Sequence, residues 1–214
     1  MFIVFDSNVW IKEIGLQSKN GAAVRSFVRR RNATVVIPEV VELEVRQHLA
    51  SELLNTRSQI ERGYRALLPV IGKLQRPHLP SEDAILEAVD SRILDLDVLT
   101  RQIPLNADVA RSSMMKLLQE TPPSQSKEQF RDGVIWAHCV ELTAEGDVYF
   151  VSADTSFYEQ RKYEKGLARE LEEEMSSLGR NLPTILRHFT NQFSEPSFPS
   201  TPLPSPPPPG HPQR

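Results

Sequence analysis

Phe2-Ile3-Val4-Phe5-Asp6-Ser7-Asn8 opens the chain with four apolar residues and then stops on an acid. A run this short, rich in aromatic and β-branched side chains, reads as a strand buried on both faces. Thr34-Val35-Val36-Ile37 repeats the pattern and is closed by Pro38. Val148-Tyr149-Phe150-Val151 repeats it again, just before Asp154. Continuous apolar strands, rather than alternating ones, mark a parallel sheet covered on both sides.

Helical patterns fill the intervals. Residues 20–31 place Val24, Phe27 and Val28 on one face. A helix from Glu39 to about Leu68, entered through Pro38, lines up Val41, Val45 and Leu49, with Leu53 next in the row. Ser81 opens a third helix, with Glu82 and Asp83 in its first turn and Ile85, Val89, Ile93, Leu96 and Leu99 along its apolar face. Residues 106–119 form a helix anchored by Val109, Met114, Leu117 and Leu118, stopped by Thr121-Pro122-Pro123-Ser124. Residues 130–143 carry Ile135, Cys139 and Leu142 on one face, and charged helices follow near 161–178 and 182–192. Strands alternating with helices predict an α/β fold: a three-layer α/β/α sandwich around a central parallel sheet. One domain is expected over residues 1–193, with a helical insertion at about 60–119. Residues 194–214 form a Pro-rich tail that holds 9 of the 17 prolines. Such a composition cannot build a core and is expected to be disordered; a docking motif for an aromatic-grooved partner is the sharper alternative.

The 214 residues are 39% hydrophobic, enough for one sizeable core. The net charge is −3, and the tail's Glu195 and Arg214 cancel. A chain that merely coats nucleic acid would be basic. An enzyme whose cations neutralise clustered carboxylates need not be. Cys139 is the only cysteine, so no intrachain disulfide can form, which suits a reducing, cytoplasmic setting. No apolar run reaches the roughly 18 residues of a membrane helix. The apolar start is too short for a signal peptide and has no basic residue before it.

Four acids deserve weighing one at a time. Asp6 follows a strand; such an Asp often only caps a helix or turn. Its place beyond the carboxyl end of a parallel strand, where open α/β sheets bind ligands, argues for function. Asp154 stands in the same position after Val148-Tyr149-Phe150-Val151, with the same bland alternative. Glu39, Glu42 and Glu44 crowd one helix start, where acids favour the macrodipole. Glu42 and Glu44 lie about 200° apart on a helix, so at most one joins a common site, and the pattern does not choose between them. Asp132 opens an otherwise apolar helix and shares its face with Ile135, Trp136 and Cys139; a carboxylate there is costly unless paired or metal-bound. Converging oxygen ligands, with no Cys/His cluster, favour Mg²⁺ or Mn²⁺.

These stretches resemble the motifs of PIN-domain nucleases. Phe5-Asp6-Ser7-Asn8 resembles the family's opening Asp-Thr/Ser-Asn. Ile37-Pro38-Glu39-Val40-Val41-Glu42-Leu43-Glu44 resembles the second motif, and its register puts the acidic ligand on Glu44. Phe130-Arg131-Asp132-Gly133-Val134-Ile135-Trp136 resembles the third, and Phe150-Val151-Ser152-Ala153-Asp154 the fourth. The Pro122-Pro123 loop and Lys127 before Asp132 resemble one bacterial PIN-like subfamily in particular. The resemblance spans roughly residues 1–160. It implies a five-stranded parallel sheet, Mg²⁺ or Mn²⁺, and cleavage of RNA. It casts Asp6, Glu44, Asp132 and Asp154 as catalytic metal ligands. Asn8 and Ser152 would orient them, and Lys127 and Arg131 would contact substrate phosphates. RNA is then the substrate, and a homodimer and an inhibitory protein are the further partners such a nuclease would have. The long helical stretch at 60–119 departs from the compact toxin nucleases. An inactive PIN-like scaffold that binds RNA or protein is the alternative. A phosphatase of the haloacid-dehalogenase type is a lesser one, since Asn8 stands where its second Asp belongs. For Lys127, Arg131 and Arg29-Arg30-Arg31 the bland alternative is solvated charge. His138 and Trp136 are expected to be packed rather than functional.

Overall fold

The computed structural model describes residues 1–13, 16–94, 98–125 and 129–186. Five strands form one sheet in the order β3-β2-β1-β4-β5, with β1 at Phe2–Phe5, β2 at Thr34–Pro38, β3 at Thr100–Ile103, β4 at Val148–Val151 and β5 at Thr184–Leu186. Every pairing is parallel: Ile3 lies beside Val35 and Tyr149, Val36 beside Arg101, and Phe150 beside Ile185. Among the described residues the α-helices are α1 (Ser7–Lys12), α2 (Lys19–Arg31), α3 (Glu39–Ile71), α4 (Glu82–Leu94), α5 (Ala107–Leu118), α6 (Phe130–Leu142) and α7 (Arg169–Ser177).

Right-handed crossovers put α2, α3 and α4 on one face of the sheet and α5, α6 and α7 on the other. Side chains agree with this layering. Tyr149 points to one face and meets Phe27 of α2 edge-on, while Phe150 points to the opposite face and meets Phe157. On that second face Glu174 of α7 accepts from both Trp136 of α6 and Lys116 of α5, at 2.8 and 2.7 Å. The three-layer α/β/α sandwich read from the sequence is thus the observed fold.

The core runs through the centre of the sheet. Ile3, Val4, Phe5, Val35, Val36, Phe150 and Val151 are fully buried. Helix α6 is buried almost all round, which is why its sequence is apolar on every side. Val24, Phe27 and Val28 pack inward as expected, as do Val41, Val45, Leu49, Ile85, Val89 and Ile93.

The structure departs from the sequence reading in several places. Residues 60–119 are not all helix: they also supply β3, an edge strand paired to β2. Leu99 therefore leads into a strand instead of extending the helix of Ile85, while Leu96 lies outside the described residues. Of the anchors expected in α5, only Val109 is buried; Met114 is 45% and Leu118 71% exposed. That helix uses Val109 and Ser113 as its inner face. Leu53 is exposed as well, because α3 has left the sheet by that point. The helix expected over 161–178 begins at Arg169, after short 3-10 turns at Glu159–Arg161 and Tyr163–Lys165. The helix expected at 182–192 gives way to β5 at its start. Its remainder and the Pro-rich tail lie outside the described residues.

Candidate active site

In the order β3-β2-β1-β4-β5 the direction of winding reverses between β1 and β4. Parallel sheets open a crevice at the carboxyl ends of strands at such a switch. Asp6 and Asp154 stand there, Asp6 directly after β1 and Asp154 shortly after β4. The Asp6 amide donates to the Val151 carbonyl at 2.9 Å, which carries the β1–β4 pairing up to the crevice.

Asp6 occupies the N-cap position of α1, yet its side chain makes no capping bond. It accepts instead from the Ser152 hydroxyl, at 2.7 Å, within the buried interior. The carboxyl is 3% exposed. Burial pushes it up to about 6, against the Ser152 bond, and the negative charges of Asp154 and Glu44 add to the rise. A side chain that declines the cap and is buried at this energetic cost fits a ligand better than a cap.

Asp132 sits in the first turn of α6 and is perturbed further. Burial raises its carboxyl to about 8, with added repulsion from Asp6, Asp154 and Glu44 and partial relief from Arg131. Among the described residues no hydrogen bond reaches this carboxylate. Its turn is held by two buried serines: Ser113 donates to the Phe130 carbonyl at 2.5 Å and Ser124 to the Gln129 carbonyl at 3.0 Å. Gly133 lies against them, and a Cβ there would stand 2.4 Å from Ser113 Oγ.

The crowded helix start resolves into separate jobs. Glu39 accepts from the Leu105 amide at 2.8 Å. Glu42 is held by Arg46 at 3.0 Å and by Gln102 of β3 at 2.9 Å. Glu44 turns toward Asp6 and Asp132, close enough to repel both. One of its oxygens accepts from Ser7 at 2.7 Å, and the other meets Arg131 at 2.5 Å. Asp154 receives the Ser156 amide on one oxygen at 2.7 Å, as a capping residue does. Its own amide donates to Ser152 Oγ at 3.0 Å. Ser152 therefore ties Asp6 and Asp154 together.

Four acids from four elements thus face one crevice. A family model for the PIN domain matches residues 3–157, which contain all four. The chain belongs to the PIN-domain family. No curated protein and no solved structure is detectably similar to it. The PIN domain is a nuclease fold that works with divalent metal ions, so the donor set has to be tested against such an ion. All the donors are carboxylate oxygens, the chemistry Mg²⁺ and Mn²⁺ prefer. Asp6 and Asp132 are both raised by burial and mutual repulsion, a cost that a cation would remove. Among the described residues no three candidate ligands already stand within the reach of a single ion. Glu44 is drawn off toward Arg131 and Ser7. The residue types fit a divalent cation, and Glu44 would have to exchange Arg131 for it.

Asn8 is exposed and makes no hydrogen bond to the four acids; Ser7, one residue earlier, makes the contact to Glu44 instead. Arg131 is 51% exposed at the crevice rim and is paired to Glu44. Lys127 lies outside the described residues. Arg29, Arg30 and Arg31 form the exposed last turn of α2. Trp136 and His138 are fully buried, and burial lowers the His138 imidazole. Burial likewise pushes the Cys139 thiol up. Ser7, Ser113 and Ser124 carried no signal in the sequence beyond helix-start and loop composition. No helix among the described residues is long and apolar enough to cross a membrane.

Proposed function

We propose that this chain is a Mg²⁺- or Mn²⁺-dependent ribonuclease that hydrolyses RNA phosphodiester bonds at Asp6, Glu44, Asp132 and Asp154. One observation supports the reading: four carboxylates border the crevice at the switch point, and burial together with the charges of the other three holds Asp132 near 8. Raised carboxyls clustered in a crevice are what a cation site costs before its ion arrives.

Asp6, Asp132 and Asp154 would hold the ion once it drew them together, with Glu44 joining on release from Arg131. A bound divalent cation supplies Lewis-acid stabilisation of the phosphodiester's developing charge and a lower pKa for water. Ser152 fixes the orientation of Asp6, and Ser7 that of Glu44. Arg131, freed from Glu44, is placed at the rim to meet a substrate phosphate, a role the reading extends to Lys127. A cytoplasmic setting belongs to the same reading and is supported by the single buried thiol of Cys139.

The test uses labelled single-stranded RNA with wild-type protein in Mn²⁺ or EDTA, beside an Asp6→Asn/Asp132→Asn double variant. Cleavage by wild type in Mn²⁺ alone is expected. Equal cleavage by the double variant would sink the site assignment. Tight RNA binding without turnover in any metal would favour an inactive scaffold.

A further inference from the structure

Past Leu49 none of the residues of α3 is buried, and the helix runs out from the sheet as an arm. Among the described residues it is covered there by α4 and by the segment 72–81, which folds back along it. Two clips hold that segment down. Arg57 donates to the Pro80 carbonyl at 3.0 Å, and the Tyr64 hydroxyl donates to the Leu74 carbonyl at 3.0 Å. Between arm and segment lies a cleft of about 620 Å³, within the range of small-molecule sites.

Each wall of this cleft mixes apolar and charged groups: Tyr64 and Leu68 stand on the α3 wall, and Pro77 and Leu79 on the wall made by the segment. Arg57 and Arg65 line the cleft from α3 and Arg76 and His78 from the segment, with Glu61 as the one acid. Arg57 is committed: it holds the Pro80 carbonyl and pairs with Glu61 and Glu82, both at 3.3 Å. Arg65 has only a long contact to Glu61, at 3.8 Å. Arg76 and His78 have no ion pair or hydrogen-bond partner among the described residues. Arg76, with its donors unused, and Arg65, held only by that long contact, therefore stand in the same cleft as Tyr64, Leu68 and Leu79. Planar donor forks of this kind match phosphate oxygens, and the Tyr64 ring in the same cleft matches a base.

We infer that the cleft between α3 and residues 72–81 binds the phosphate of a nucleotide, either free or within a strand, apart from the four-acid crevice. The cleft begins at Arg57, about 20 Å along the helix axis from Glu44, so one molecule of nucleotide size cannot fill both. If the strand is the source, the cleft is a second grip on the substrate of the proposed nuclease; if the free nucleotide, it is a regulatory site.

The inference is tested by calorimetry on the full chain in EDTA, where neither metal nor turnover enters and failure of the ribonuclease reading leaves the result readable. The probes are adenosine 5′-monophosphate, adenosine, a tetra-adenylate RNA and a phosphoserine peptide. Binding of the monophosphate or the RNA is expected, with adenosine at least tenfold weaker. Which of the two binds names the source. Arg65→Ala/Arg76→Ala should weaken that binding at least tenfold. Both side chains are exposed, so thermal unfolding of the variant should match wild type. Asp132→Asn should leave it unchanged. Absence of binding to both nucleotide probes at millimolar concentration would overturn the inference. So would equal binding of adenosine, equal binding of the phosphopeptide, or an unaffected double variant.

Discussion

The Ser152 hydroxyl donates to Oδ2 of Asp6 at 2.7 Å, joining residues 146 positions apart across the switch between β1 and β4. Ser152 Oγ in turn accepts from the Asp154 amide at 3.0 Å. One hydroxyl thus orients one candidate ligand directly and the backbone of another. Ser152→Ala would take the hydroxyl donor from a buried carboxylate and leave it only the Ser7 backbone, a loss of about 1–3 kcal/mol. The expected outcome is a Mn²⁺ affinity lower by about 10- to 100-fold, in the range seen when partners of metal ligands are removed. Titration calorimetry reads it, with circular dichroism to show that the fold survives. An unchanged Mn²⁺ affinity would mean that Asp6 takes no part in holding the ion.

Asp6 and Asp132 make the metal-free protein sensitive to pH in a direction that can be worked out. Both carboxyls are raised in the folded chain, to about 6 and about 8, from an ordinary value of 3.8. Between pH 4 and 8 the folded state therefore binds more protons than the unfolded one, so stability falls as pH rises. In EDTA the melting temperature should be higher at pH 5 than at pH 8. A difference of about 3 kcal/mol would correspond to about 5–10 °C for a chain of this size. Asp132→Asn should flatten the profile and raise the melting temperature at pH 8, and Mn²⁺ should do the same for wild type. A melting temperature that stays level from pH 5 to 8 in EDTA would contradict the burial and repulsion described here.

What the sequence made legible follows from where each segment lies. Val35, Phe150 and their neighbours occupy central strands buried on both faces, so their apolar runs announce themselves. Thr100-Arg101-Gln102-Ile103 is an edge strand. Arg101 reaches out to Glu145 at 2.6 Å and Gln102 to Glu42, and polar edge residues give no hydrophobic signal. Thr184-Ile185-Leu186 is too short to stand out from a helical pattern. Asp6 and Asp154 were visible as acids after strands and Asp132 as an acid in an apolar helix, whereas helix periodicity left Glu42 and Glu44 open and only the motif resemblance chose Glu44; the physical basis of that choice was not legible. It depends on β3, which takes Glu42 through Gln102 and was itself unread.

Gly133 and Ser113 provide a handle on Asp132 that leaves its carboxylate untouched. A Cβ at Gly133 would stand 2.4 Å from Ser113 Oγ and 3.1 Å from Ser124 Oγ. Neither hydroxyl can withdraw freely, since each holds a carbonyl of the turn that presents Asp132. Gly133→Ala should therefore destabilise the protein by about 1–3 kcal/mol, the usual cost of overpacking. Removing the obstructing oxygen with Ser113→Ala leaves the nearest serine atoms at 3.1 Å, a contact the neighbours can absorb with small shifts. In the Gly133→Ala/Ser113→Ala protein the loss should be less than the sum of the two single losses. Chemical denaturation of all four proteins measures that coupling. The arrangement also separates stability from metal affinity. Asp132→Asn should weaken Mn²⁺ binding while stabilising the metal-free fold. Gly133→Ala displaces the same carboxylate and should weaken both. A Gly133→Ala protein that melts at the wild-type temperature would show that the first turn of α6 is free to shift, and with it Asp132.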